Sequence, residues 1–196
     1  MQTMPRVPPL DRPATYEDLV ALPDHLVAEI VDGELHASPR PAPRHARAAT
    51  RISTQIGPAF DLGRGGPGGW LILAEPELHL GPHVVVPDLA GWHSQRMPTL
   101  PATAYFAVAP DWICEVLSSS TASFDRVKKL RVYAHAGVAH AWLVDPLAQT
   151  LEELRLQDGQ WVILATHAGD EAIRADPFGD IEIPLQTLWP DVTAGT

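Results

Sequence analysis

Apolar residues along this chain fall mainly in short runs, and one long segment carries a clear helical period. "TYEDLVAL" opens with Thr15 and has Asp18 three positions on, the pattern of a capping box, so a short helix starts there. "VAEIV" and "ELHAS" flank Asp32-Gly33, a strong hairpin signal. Residues 44 to 60 read as a helix: at roughly 100° per residue, Ala48, Ala49, Ile52, Ile56 and Ala59 share the side that faces the core. "WLILAE", "ELHL", "HVVVPDLAGW" and "DWICEVL" predict four strands. After the polar break "SSSTAS", "FDRVKKLRVYAHA" predicts a helix closed by Gly137. "HAWLVDP" adds a strand and "QTLEELRL-QDG-QWVILA" a second hairpin, while the tail "IEIPLQTLW" is too short to assign. This order gives an α/β fold with a mixed sheet under helical cover, not the regular alternation of a doubly wound one.

Three acids interrupt these apolar runs. Glu115 sits inside "WICEVL", where a carboxylate costs several kcal/mol (on the order of) unless it is paired. Glu29 lies within "VAEIVDG", and Asp88 follows "VVVP" at a strand end. Taken singly, each has an ordinary structural role: a buried salt bridge for Glu115, a half-exposed strand position for Glu29, a turn for Asp88. Alternation sends Cys114 and Val116 to the face opposite Glu115, which makes Cys114 a small core residue. Asp125, Lys129 and Tyr133 form an i, i+4, i+8 column, consistent with a surface ion pair of a few tenths of a kcal/mol (roughly). The apolar stripe of that helix runs through Phe124, Val127, Leu130 and Ala134; Lys128 flanks it and Lys129 projects away, so angles alone do not choose between the two lysines. Taken together, carboxylates gathered at one sheet edge repel one another unless a cation intervenes. An all-oxygen set suits Mg²⁺ or Mn²⁺, with a lysine near the attacking water.

Composition narrows the class. At 196 residues the chain fits one domain, here residues 15–196 after a loose Pro-rich arm at 1–14. No window nears the roughly eighteen apolar residues of a membrane span, and the single cysteine precludes an internal disulfide. The expectation is a cytoplasmic protein. The net charge of −10 argues against general coating of nucleic acid. No P-loop, dinucleotide fingerprint, nucleophile elbow or zinc-ligand spacing occurs.

The ordered set "EIVDGEL", "PRPAPRH", "VPDL", "EVLSSST", "DRVKKLRVY" with "AGV", and "WLVDP" resembles the bacterial Uma-type restriction endonuclease family of the PD-(D/E)XK nuclease superfamily. The resemblance spans about Thr15 to Ala165. It implies a restriction-endonuclease-like mixed β-sheet core flanked by helices, with extra β-hairpins. It implies that Asp88 and Glu115 hold a divalent metal, that Glu29 completes the acids, and that Lys129 replaces the superfamily's lysine, whose usual position falls at Leu117. In the family's pattern that lysine stands four after an Asp and four before a Tyr, so the resemblance implies Lys129 rather than Lys128. Ser119 stands where relatives often carry proline.

The implied activity is Mg²⁺- or Mn²⁺-dependent hydrolysis of DNA, with a homodimer expected because two strand cuts need two sites. Arg44, Arg47 and Arg51 share a narrow helical arc and, with His45 and Lys128, are the candidate nucleic-acid contacts; a solvated helix face is the ordinary alternative. Arg126, Lys128 and Arg131 form a candidate second basic patch. Two other classes compete: an inactive nuclease-fold protein that binds nucleic acid or a protein partner, and a β-rich small-molecule binder. The second leaves the acids unexplained.

Overall fold

The computed structural model describes residues 10–189. The Pro-rich start of the predicted arm, residues 1–9, lies outside them. Helix α1 (Tyr16–Val20) begins at a full capping box, with Thr15 and Asp18 satisfying each other's backbone amides. Strands β1 (Leu26–Val31) and β2 (Glu34–Pro39) then form the first hairpin. Its turn residues Asp32 and Gly33 have φ of 54° and 74°, the left-handed pair that a two-residue turn requires. Helix α2 (Pro43–Phe60) buries Ala48, Ile52, Ile56, Ala59 and Phe60, the side the sequence period marks.

The predicted strand "HVVVPDLAGW" is two strands in two sheets. β3 (Trp70–Ala74), β4 (Leu78–Leu80) and β5 (His83–Val85) precede the break, and β6 (Leu89–His93) follows it. Pro87 has no N–H to continue a ladder, so the chain leaves β5 in the four-stranded sheet (β2-β1-β5-β4) and enters β6 in the larger one. The larger sheet is completed by β7 (Trp112–Val116), β8 (His140–Asp145), β9 (Thr150–Gln157) and β10 (Gln160–Ala168), in the order β10-β9-β8-β7-β6-β3. Among the described strands only β7 and β8 pair in parallel, and the helical segment 122–135 joins them. Strands β11 (Ala172–Ile173) and β12 (Ile183–Pro184) pair separately, and a 3-10 turn (Leu185–Leu188) follows.

The fold is thus α/β, a mixed sheet core flanked by helices with added hairpins. One face of the six-stranded sheet packs Trp112, Cys114, Val116 and Trp142 against α2, against Phe178, and against Leu185 and Trp189 of the unassigned tail. The other face carries Ile113 and Leu143 and meets Val31, Val85, Leu130 and Tyr133, residues of the smaller sheet and the helical segment. Glu115 points into this second layer, as alternation along β7 requires.

Candidate active site

The predicted helix over 124–136 is three pieces: α3 (Ala122–Phe124), a π turn (Asp125–Lys129) and α4 (Leu130–His135). In the π turn the Leu130 amide reaches back to the Asp125 carbonyl, one residue further than in an α-helix. That extra residue rotates everything before it, and it reverses the reading made from helical angles. Val127, placed on the apolar stripe, is 63% exposed, whereas Asp125, Lys129 and Tyr133 are 4%, 3% and 0% exposed. The surface ion pair is a buried polar column. Gly137, with φ of 78°, ends the segment as expected.

Lys129 is the centre of the site. Its Nζ lies 2.8 Å from Glu115 Oε1, 3.0 Å from Glu29 Oε1 and 3.9 Å from Asp125 Oδ1. It also donates to Glu115 Oε2 and to the Val86 carbonyl, each at 3.0 Å. Tyr133 donates its hydroxyl to Glu115 Oε1 at 2.6 Å. Glu29 Oε1 accepts the Val86 amide at 2.9 Å. The ladder between β6 and β7 stops at Leu89 and Cys114, and the Val116 amide beyond it donates to Asp88 Oδ2 at 2.7 Å. His45, in the first turn of α2, places Nε2 3.2 Å from the same oxygen.

Electrostatics follow from this crowding. Burial opposes the Lys129 ammonium, but Glu115 and Glu29 outweigh it and hold the group charged well above its ordinary range. Burial pushes the Asp125 carboxyl up to about 6, with Lys129 and the Thr121 hydroxyl pulling against it. Burial likewise opposes the His45 cation, and the contact with Asp88 more than compensates. All these groups line one cleft of about 190 Å³, which the hydroxyl-rich loop Ser118 to Thr121 lines as well.

The structure therefore brings together Glu29, Asp88, Glu115 and Lys129, with His45 beside Asp88. It separates Lys128, which turns outward to Glu34 at 2.6 Å. The second basic patch is not a free one: Arg126 pairs with Glu152 at 2.7 Å and Arg131 with Asp32. Arg44, Arg47 and Arg51 are exposed along α2, and Arg47 and Arg51 meet no acid among the described residues. Sequence reasoning noticed the column of Asp125 and Tyr133 but gave neither a role, because the angle that would reveal their burial depends on the π turn. The backbone of Val86, held at both ends, left no sequence signal.

The comparisons with known proteins agree with this architecture. A putative nuclease belonging to DUF820 from Anabaena variabilis ATCC 29413 superposes with a TM-score of 0.71 over 90% of this chain and 98% of its own, at 22% identity. That likeness establishes a shared α/β fold of mixed sheets with few helices. The Uma2 family, described as putative restriction endonucleases, matches residues 13–186, and the chain belongs to it. No curated protein matches. Among the described residues no helix is long and apolar enough to cross a membrane.

Proposed function

We propose that the protein is a metal-dependent nuclease that hydrolyses phosphodiester bonds of DNA in the cleft around Glu115. The observation that carries this reading is the meeting of Glu29, Asp88, Glu115 and Lys129, drawn from four separated parts of the chain, at one solvent-accessible cleft. Structural burial alone explains a paired acid; it does not explain three acids around one lysine.

The donor set fits Mg²⁺ or Mn²⁺. Among the described residues no group of three or more His, Cys, Asp or Glu is arranged to hold a metal. Asp88 and Glu115 would be two protein ligands, a number that suits Mg²⁺, which keeps waters and uses substrate phosphate for the rest. A bound ion would activate a water and shield charge on the phosphoryl oxygens. Asp88 is oriented for the task by the Val116 amide and His45, both on Oδ2. Lys129, kept as an ammonium, stabilises negative charge growing beside Glu115. Arg44, Arg47 and Arg51 line α2 next to the cleft, where they would hold flanking phosphates and give binding a steep salt dependence.

Plasmid nicking with Mg²⁺ tests the reading: wild type converts supercoiled to relaxed DNA, EDTA stops it, and Asp88→Ala with Glu115→Ala abolishes it. One observation favours the alternative of an inactive binding module. Lys129 and Tyr133 already engage both oxygens of Glu115. Metal titration separates the two: heat of Mn²⁺ binding in wild type that is lost in the double variant supports the nuclease, and equal heats support the binding module.

A further inference from the structure

Among the described residues, four that are not glycine adopt a left-handed backbone. Asp32 and Asp158 do so in two-residue hairpin turns, and Gln149 does so in the turn between β8 and β9. The fourth is Glu75, with φ of 48°, just past the end of β3. Its amide donates to the Asp88 carbonyl at 3.0 Å, so the conformation serves the backbone that carries Asp88. Glycine would meet that need without strain, whereas glutamate costs about 1–2 kcal/mol. The carboxylate therefore calls for a separate explanation.

Its position supplies one. Glu75 lines the catalytic cleft, and also a second hollow that shares His45 and Asp88 with it and runs along Ala49 and Ser53 of α2. That hollow shares Ala46, Thr50 and Thr54 with a third, shallow one bearing Arg47 and Arg51. A phosphate backbone following these hollows from the cleft to the α2 arginines passes Glu75. Arg40 also lines the cleft, with Nη1 3.6 Å from Glu75 Oε2 and Nη2 donating to the Asp24 carbonyl at 3.2 Å. At 59% and 42% exposure the Arg40–Glu75 pair is solvated, longer than a hydrogen bond and easily exchanged. A bidentate phosphate is the stronger partner for a guanidinium.

We propose that Glu75 occupies the place of a substrate phosphate beside Arg40, so that nucleic acid enters the cleft by displacing the Glu75 carboxylate and taking its guanidinium. The inference rests on the nuclease reading and adds to it an acid that raises the threshold for binding any polyanion. It makes Arg40 a phosphate-binding residue and Glu75 its competitor.

The test is fluorescence anisotropy with a labelled DNA duplex at low salt in EDTA, where binding is read without cleavage. Glu75→Gln keeps the shape and the backbone strain, and it tightens binding about threefold to tenfold. Glu75→Gly tightens it similarly and also raises the melting temperature. Arg40→Ala weakens binding, and the Arg40→Ala, Glu75→Gln double variant binds like Arg40→Ala alone. Asp158→Asn, the same charge change at the far edge of the large sheet, leaves affinity unchanged. Full tightening by Glu75→Gln in the Arg40→Ala background would mean general charge relief and overturns the inference. So does an unchanged affinity in Glu75→Gln while Arg47→Ala and Arg51→Ala still weaken binding; that result leaves the nuclease reading standing. No binding by wild type or by Glu75→Gln overturns both.

Discussion

Glu115 and Glu153 stand on β7 and β9, two strands apart in one sheet, and both are buried, at 2% and 6% exposure. Their company differs. Glu153 accepts the Asp176 amide at 3.0 Å and has His167 at 3.6 Å; burial raises its pKa and His167 opposes the rise. It lines no cleft among those around Glu115, and its partners secure the segment that leads into the tail. Glu115 has a lysine, a tyrosine, three neighbouring acids and open space beside it. A buried acid is therefore not in itself a functional signal. An excess of acids over cations at an accessible cleft is.

The largest test of this contrast is Lys129→Met. It leaves Glu29 and Glu115 buried without their cation and lowers stability by about 3–5 kcal/mol in urea unfolding, while Lys128→Met next door changes it by less than about 0.5 kcal/mol. Tyr133→Phe follows: it removes one hydrogen bond to the Glu115 carboxylate and costs about 1.5–3 kcal/mol by the same measurement.

A third test uses pH. The Asp125 carboxyl is raised from 3.8 to about 6, so the folded protein holds that proton more tightly than the unfolded chain. The stability it contributes is complete below pH 3.8 and is lost as the pH rises through about 6. Subtracting the profile of Asp125→Asn from that of wild type should show a decline across this window; a flat difference would mean that Asp125 is solvated. A smaller effect than at Lys129 or Tyr133 is expected at Glu153→Gln, about 1 kcal/mol, with metal binding unaltered. A change in Mn²⁺ affinity there would erase the distinction between the two acids.

How far this was legible depended on how local each cause is. The hairpin at Asp32-Gly33, the capping box at Thr15, the buried face of α2 and the interior character of β7 follow from nearest neighbours, and the structure has them all. Two features did not. The π turn changes the phase of its helix by a single residue, and no composition signal in "DRVKK" distinguishes it from an α turn. The division of "HVVVPDLAGW" between two sheets hangs on Pro87, which marks a break without saying where the chain goes next. For the site, the three acids were visible as charges in apolar surroundings. Lys129 was separable from Lys128 only by family spacing, since true burial depended on that same turn. The pairing of Arg126, Lys128 and Arg131 with acids distant in sequence was invisible for the same reason that most tertiary contacts are.

The Val86 peptide lies where the chain crosses from the small sheet to the large one, and Glu29 and Lys129 grip its two polar ends. Two of the side chains that would surround the reaction thus also act as a clasp between the two layers. Warming or denaturant that parts the layers must tear this clasp open at the same moment, so loss of shape and loss of reactivity should arrive as a single event rather than in sequence.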